Sequence, residues 1–203
     1  MKKVRFFCVI SMAVMLCGVI GNGFAQQKAD NRKICDSLQS VAKTLSGEEQ
    51  MNMYTILAMR LFAETDVSYC VKLLDEYGAD AHLQKNYFHE ANSMIVKLRV
   101  FYNHFDTARF EQEYQKCATF SKKHKLYDAL SAAFDVKIHF LCNMQRFEEA
   151  LSETQKMYEF AKEKKNDRGL YYTNLAFGNI YDNFHRYTEA KKYLYAAIEY
   201  QKK

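Results

Sequence analysis

The sequence predicts an all-α fold, an α-solenoid of antiparallel helix pairs. Three observations carry this. The 203-residue chain has no proline and only seven glycines, the residues that break helix interiors and mark bends. Its apolar residues follow helical spacing. The chain also repeats itself at a period of forty residues, the mark of stacked structural units. Hydrophobic residues make up 49% of it, enough to bury a core.

The first residues stand apart. "MKKVR" is basic, Phe6 to Ile20 is an apolar run, and Gly23 and Ala25 supply small residues before Gln26. This reads as a signal peptide over residues 1–25, cut before Gln26; left uncut, it would be an N-terminal anchor. The run is shorter than the roughly 20 residues a membrane span needs. Leu16 before Cys17 argues against a lipoprotein signal. The expected location is periplasmic, with an inner-membrane anchored protein as the alternative. Lys2, Lys3 and Arg5 supply three of the net +5 charges. The remainder is too small to support nucleic-acid binding.

The mature region spans 26–203. A helix is expected near 31–45. "SGEEQ" then starts a second helix, with Ser46 as cap and Glu49 completing a capping box, running to about residue 63. Asp66 is placed to cap a third helix to Tyr77, which Gly78 would end. Residues 26–83 thus read as a capping helix and a degenerate first repeat. Three fuller repeats follow over 84–124, 125–164 and 165–203. Their first helices are expected near 84–103, 127–143 and 167–183, and their second near 107–124, 147–164 and 187–203.

The period is visible in the letters. "NMQRFEEA" at 143–150 returns as "NFHRYTEA" at 183–190. Phe120, Phe160 and Tyr200 share one register; Phe101, Leu141 and Tyr181 share another. Phe134, Ile138 and Leu141 form a helical stripe, as do Ala190, Leu194, Ala197 and Ile198. Connections of three or four residues force antiparallel neighbours. Asn103, Asn143 and Asn183 are expected just past the first helices, where asparagine tolerates a left-handed backbone. Arg146 and Arg186 are expected in solvent beside the bend.

These residues resemble the tetratricopeptide repeat family. "FGNIY", Phe177 to Tyr181, matches its Leu-Gly-x-x-Tyr element; Tyr187, Ala190, Leu194 and Ala197 match its second helix. The third copy supplies Phe134, Leu141, Phe147 and Ala150. Gly178 and Ala190 are expected to let helices approach closely. There are departures: Asn174 at an aromatic position, Lys97 and Lys137 at a leucine position, Phe110 in place of a small alanine, and no closing proline. Elongated repeats of this kind are similar to those of bacterial regulators that sense peptides or small ligands. The resemblance implies a superhelix of helix pairs and speaks to fold more than to function.

Chemistry is sparse. The histidines His82, His89, His104, His124, His139 and His185 form no HExxH or comparable ligand set, so no metal is expected. There is no Gly-rich phosphate loop and no GxSxG, so no cofactor is expected either. Cys142 and His139 are three apart on one helix, but no third group orients them. After cleavage Cys35, Cys70, Cys117 and Cys142 remain, at spacings without a zinc or CxxC pattern. They read as small apolar residues, with one disulfide left open.

The family's first helices line a concave groove. Carried over, the resemblance implies groove positions at Asn92, Ile95, Arg99 and Tyr102, at Ala132, Asp135, His139 and Cys142, and at Tyr172, Leu175, Asn179 and Asp182. The candidate partner-binding residues among these are Arg99, Tyr102, Asp135, His139, Tyr172, Asn179 and Asp182. Their mixture suits a peptide or a partner helix. The family's carboxylate clamp is not reproduced. The expectation is an exported, non-catalytic module that binds a protein or peptide. The alternative is the sensor region of a membrane-bound regulator, a histidine kinase or a DNA-binding protein, whose later domains are absent from this chain. The last helix lacks a polar cap, so self-association through it is also expected. Membrane contact is expected only if the N-terminal segment stays uncleaved.

Overall fold

The computed structural model describes residues 29–62 and 64–201. The expected signal peptide and the final residues 202–203 lie outside the described residues. All regular structure among the described residues is helical. The elements are α1 (29–42), α2 (Gly47–Leu61), α3 (Val67–Leu83), α4 (Tyr87–Asn103), α5 (Thr107–Lys123), α6 (Tyr127–Asn143), α7 (Phe147–Glu163), α8 (Asp167–Asn183) and α9 (Tyr187–Gln201). They fall into two compact units that meet in sequence between Asp66 and Val67.

The first unit holds α1 and α2. Cys35, Ala42, Met51, Tyr54, Leu57, Ala58 and Leu61 are its buried residues. Ser46 does occupy the N-cap of α2, but its side chain makes no capping bond. The expected capping box is therefore not formed. Gly47, next in line, has φ +61°, away from helical geometry just where the hydroxyl would have to reach forward to the Glu49 amide. Beyond α2 the buried Glu64 accepts from the Thr65 and Asp66 amides at 2.8 and 3.1 Å and so ties its own turn together.

The second unit keeps a strict beat. From Val67 a new helix begins every twenty residues, and α3 through α8 each run 17 residues. Gly78 does not end α3, which continues through it to Leu83. Its role is space. A Cβ on Gly78 would sit 2.7 Å from Ser93 Oγ of α4, so the glycine lets α4 come close.

Each three-residue link from α3 onward has one geometry. Its middle residue is left-handed: Lys85, Phe105, Lys125, Gln145, Lys165 and His185, with φ from 52° to 59°. The flanking amides return to the finished helix. Phe105 N–H donates to Tyr102 O at 3.1 Å, and Asp106 N–H to Phe101 O at 3.0 Å. This is the Schellman pairing that satisfies the last carbonyls of a helix. The next residue is already the N-cap of the following helix. Asn86, Asp106 and Asn166 there accept from the amides of His89, Arg109 and Gly169.

The expected role of Asn103, Asn143 and Asn183 is thus corrected. They are the last helical residues, and the left-handed turn comes two positions later. Asn143 instead donates to the Tyr102 hydroxyl, and Asn183 to Asn179 O at 2.8 Å. Arg146 and Arg186 are exposed but engaged. Each pairs with the glutamate three residues on, through Nε at 2.8 Å to Glu149 and 2.9 Å to Glu189.

Packing is sequential. Each helix from α3 on contacts the next, and α4 touches α6 as α6 touches α8. The even helices therefore make a continuous layer, and α5 and α7 each sit against the two even helices that flank them. Between these layers lies one core of Leu98, Phe110, Ala133, Phe134, Phe140 and Ile180, among others. Phe110, unusual by sequence, stacks on Phe140 at 4.2 Å between centroids. α8 and α9 approach closely: a Cβ on Gly178 would lie 2.5 Å from Leu194 Cδ2.

Candidate functional site

Residues forty apart occupy one register on α4, α6 and α8, so the sequence-derived candidates form rows across the even layer. In one row Arg99, His139 and Asn179 are all exposed. Asp135 lies one turn before His139 and is half-buried, its Oδ1 3.6 Å from His139 Nε2. Burial raises the Asp135 pKa above its ordinary value, while the charges of His139 and of Arg99 on α4 oppose the shift. The charge of Arg99 on α4 thus reaches the Asp135–His139 pair on α6. Tyr102 joins them on this face; its ring meets Phe140 edge-on at 6.1 Å and its hydroxyl takes the Asn143 bond.

Tyr172, Asn179 and Asp182 lie along α8. Tyr172 carries the Arg168 guanidinium 5.8 Å above its ring, and Asp182 is exposed. The remaining groove positions are less available. Ile95 is buried in the core. Asn92 donates to the Tyr77 hydroxyl at 3.3 Å, and that hydroxyl also meets His89 Nδ1 at 2.5 Å, so this polar cluster joins α3 to α4.

The opposite face of the same helices holds a second arrangement. At 100° per residue, position 137 points about 160° away from position 139. Lys137 there is buried, with Nζ 3.2 Å from Glu153 on α7 and 3.9 Å from Glu111 on α5. The ammonium also lies 4.5 Å above the Tyr114 ring. Forty residues earlier Lys97 sits between Asp75 of α3 and Glu113 of α5, 2.8 Å from each. Burial pulls the Lys97 pKa down, but its two carboxylate partners outweigh it and the net shift is upward. Forty residues later the column holds Phe177, and Tyr193 stands at the Glu153 position. Their rings are 4.8 Å apart.

Three clefts open over this column. One of about 410 Å³ includes Lys97, one of about 310 Å³ includes Lys137, and one of about 910 Å³ includes Phe177 and Tyr181. None of the seven candidate residues lines them. The sequence carried a signal for this face. Lys97 and Lys137 fall at the same spacing as Glu113 and Glu153, and both pairs turn aromatic together in the next copy.

All four described cysteines are free thiols, and Cys35, Cys70 and Cys117 are fully buried. Burial pushes the Cys117 thiol up to about 12 and raises Cys142 as well. A thiol in that state is a poor nucleophile. His139 turns to Asp135, and His82 pairs with Glu90 at 3.0 Å. Among the described residues no group of three or more His, Cys, Asp or Glu is placed to hold a metal.

No family model matches the chain, and neither a curated protein nor a solved structure matches it. Among the described residues no helix is long and apolar enough to cross a membrane.

Proposed function

We propose that this chain is an exported, non-catalytic module of the tetratricopeptide kind. Its helix pairs form a solenoid that binds a protein or peptide along the exposed face of α4, α6 and α8. One observation carries the reading: on that face Asp135 pairs with His139, and the charge of Arg99 on the preceding even helix acts on the same carboxylate. A half-buried carboxylate beside the His139 imidazole and within the field of the Arg99 guanidinium offers hydrogen-bond acceptors to a passing backbone and charge to a side chain. Tyr102, held by Asn143, adds a rigid aromatic anchor of the type that dominates small interfaces. The apolar N-terminal run followed by small residues supports export to the periplasm.

The test is capture from periplasmic extract by the protein, with bound species identified by mass spectrometry. A specific partner should appear, and Arg99→Ala with Tyr102→Ala should weaken it at least tenfold while leaving the helical circular dichroism unchanged. A partner that binds the double variant as tightly as the parent rules out this face. Failure to enrich any protein or peptide counts against the module itself.

A further inference from the structure

The links of the second unit alternate between its two ends, because neighbouring helices run antiparallel. Links 84–86, 124–126 and 164–166 therefore share one end. Contacts join them in sequence. The Tyr87 ring at the start of α4 lies 3.9 Å from that of His124, and Asn166 donates to Asp128 at the start of α6 at 2.7 Å. The two ends differ in charge. Within three residues of these links stand eight lysines and arginines against three acids; around links 104–106, 144–146 and 184–186 three stand against five. At the basic end every left-handed turn residue is a lysine, Lys85, Lys125 or Lys165, where the other end has Phe105, Gln145 and His185. These three lysines are exposed and make no ion pair among the described residues. Beside the first link Leu83 is 79% exposed and Phe88 54%.

We infer that this end of the second unit docks on the surface of an anionic lipid bilayer. The three lysines stand at the apices of turns, so a flat bed of phosphates reaches all of them at once. Each basic side chain held near such a surface gains from its negative potential, and clusters of four to eight are the usual size for this recognition. Leu83 and Phe88 select lipid over a dissolved polyanion. Apolar side chains gain by entering the boundary between headgroups and acyl chains, and gain nothing from a phosphate chain in water. The contact does not need the N-terminal segment. It uses none of the residues assigned to partner binding and stands apart from that reading.

The exported form from Gln26 holds every described helix and lacks the apolar run Phe6 to Ile20, which would enter lipid by itself. Vesicles of mixed phosphatidylcholine and phosphatidylglycerol should carry this form in a flotation assay, and vesicles of phosphatidylcholine alone should not. Added salt should weaken the binding. Lys85→Gly, Lys125→Gly and Lys165→Gly together should weaken it roughly 100-fold, about fivefold per lysine. Circular dichroism should stay unchanged, because glycine accepts the left-handed turn. Leu83→Ser with Phe88→Ser should weaken vesicle binding roughly tenfold and leave binding to inorganic polyphosphate as it is. No binding to the anionic vesicles, equal binding to both kinds, or a triple glycine variant that binds like the parent overturns the proposal. Vesicle binding indifferent to the two serines makes this end a general polyanion site and overturns lipid as its occupant.

Discussion

The Lys137 ammonium lies 3.2 Å from the Glu153 carboxylate across the α6–α7 contact, and forty residues earlier Lys97 and Glu113 make the same pair at 2.8 Å. One copy further on, both members are aromatic, Phe177 and Tyr193. Two neighbouring helices can thus be joined at one structural position by an ion pair or by stacked rings. Removing one member of a buried pair leaves a charge without its counterpart. Lys137→Ala should cost about 2 kcal/mol, below the fully buried case because Glu153 keeps some solvent contact. Lys137→Phe combined with Glu153→Tyr copies the next repeat and should return to within about 1 kcal/mol of the parent. Urea denaturation measures both. A double variant no more stable than Lys137→Ala would refute the equivalence.

The links offer a stabilising change. Lys165 holds a left-handed backbone at φ 52°, a conformation that costs a residue with a Cβ and that glycine adopts freely. Lys165→Gly should raise stability by about 0.5–1 kcal/mol, the relief at the turn exceeding the added freedom of the unfolded chain. A rise in the denaturation midpoint at unchanged slope is the expected reading. A fall would mean that the lysine side chain contributes more than its backbone costs.

Close approach at α8 and α9 predicts intolerance. Gly178→Val puts a branched side chain where even a Cβ meets Leu194 at 2.5 Å. The expected loss is about 2–3 kcal/mol. Adding Leu194→Ala should recover part of it by opening the space. If Gly178→Val alone melts at the parent temperature, α8 and α9 are not packed this tightly.

Asp135 predicts a pH dependence. Burial raises its pKa in the folded chain above the ordinary 3.8. Between the ordinary and the raised value the folded state holds more of the proton than the unfolded state does. Stability therefore falls as pH rises through that window and stays lower above it. Asp135→Asn, which carries no charge to desolvate, should be more stable than the parent at neutral pH. The advantage should shrink as pH drops below the raised value toward 3.8. Equal differences at neutral and acid pH would remove burial as the cause.

Much of the fold was legible in the letters. The forty-residue period located the helix pairs, and the expected bounds of α6 and α8 agree with those observed. That follows because stripe spacing and short links are local properties of a chain without proline. Gly178 was read rightly as a point of close approach, since it falls inside a strong helical stripe. Gly78 was read as a helix stop, and only the nearness of Ser93 on another helix shows that it too makes room. Asn143 was assigned the left-handed turn because asparagine tolerates it. The chain instead places Gln145 there, since the position is set by where the three-residue link must reverse and not by residue preference.

The candidate site divides the same way. The sequence by itself determined which residues share a register, because a period of forty maps each helix onto the one two places later. Thus Arg99, His139 and Asn179 were grouped before any coordinate. What only the tertiary structure decided is which registers meet solvent and which meet another helix. Lys97 and Lys137 look like surface lysines in a string of letters. Lys137 is buried and Lys97 half-buried because flanking helices close over them with carboxylates from three different elements. Burial is a property of the whole packed layer, so a residue's own sequence neighbours do not announce it.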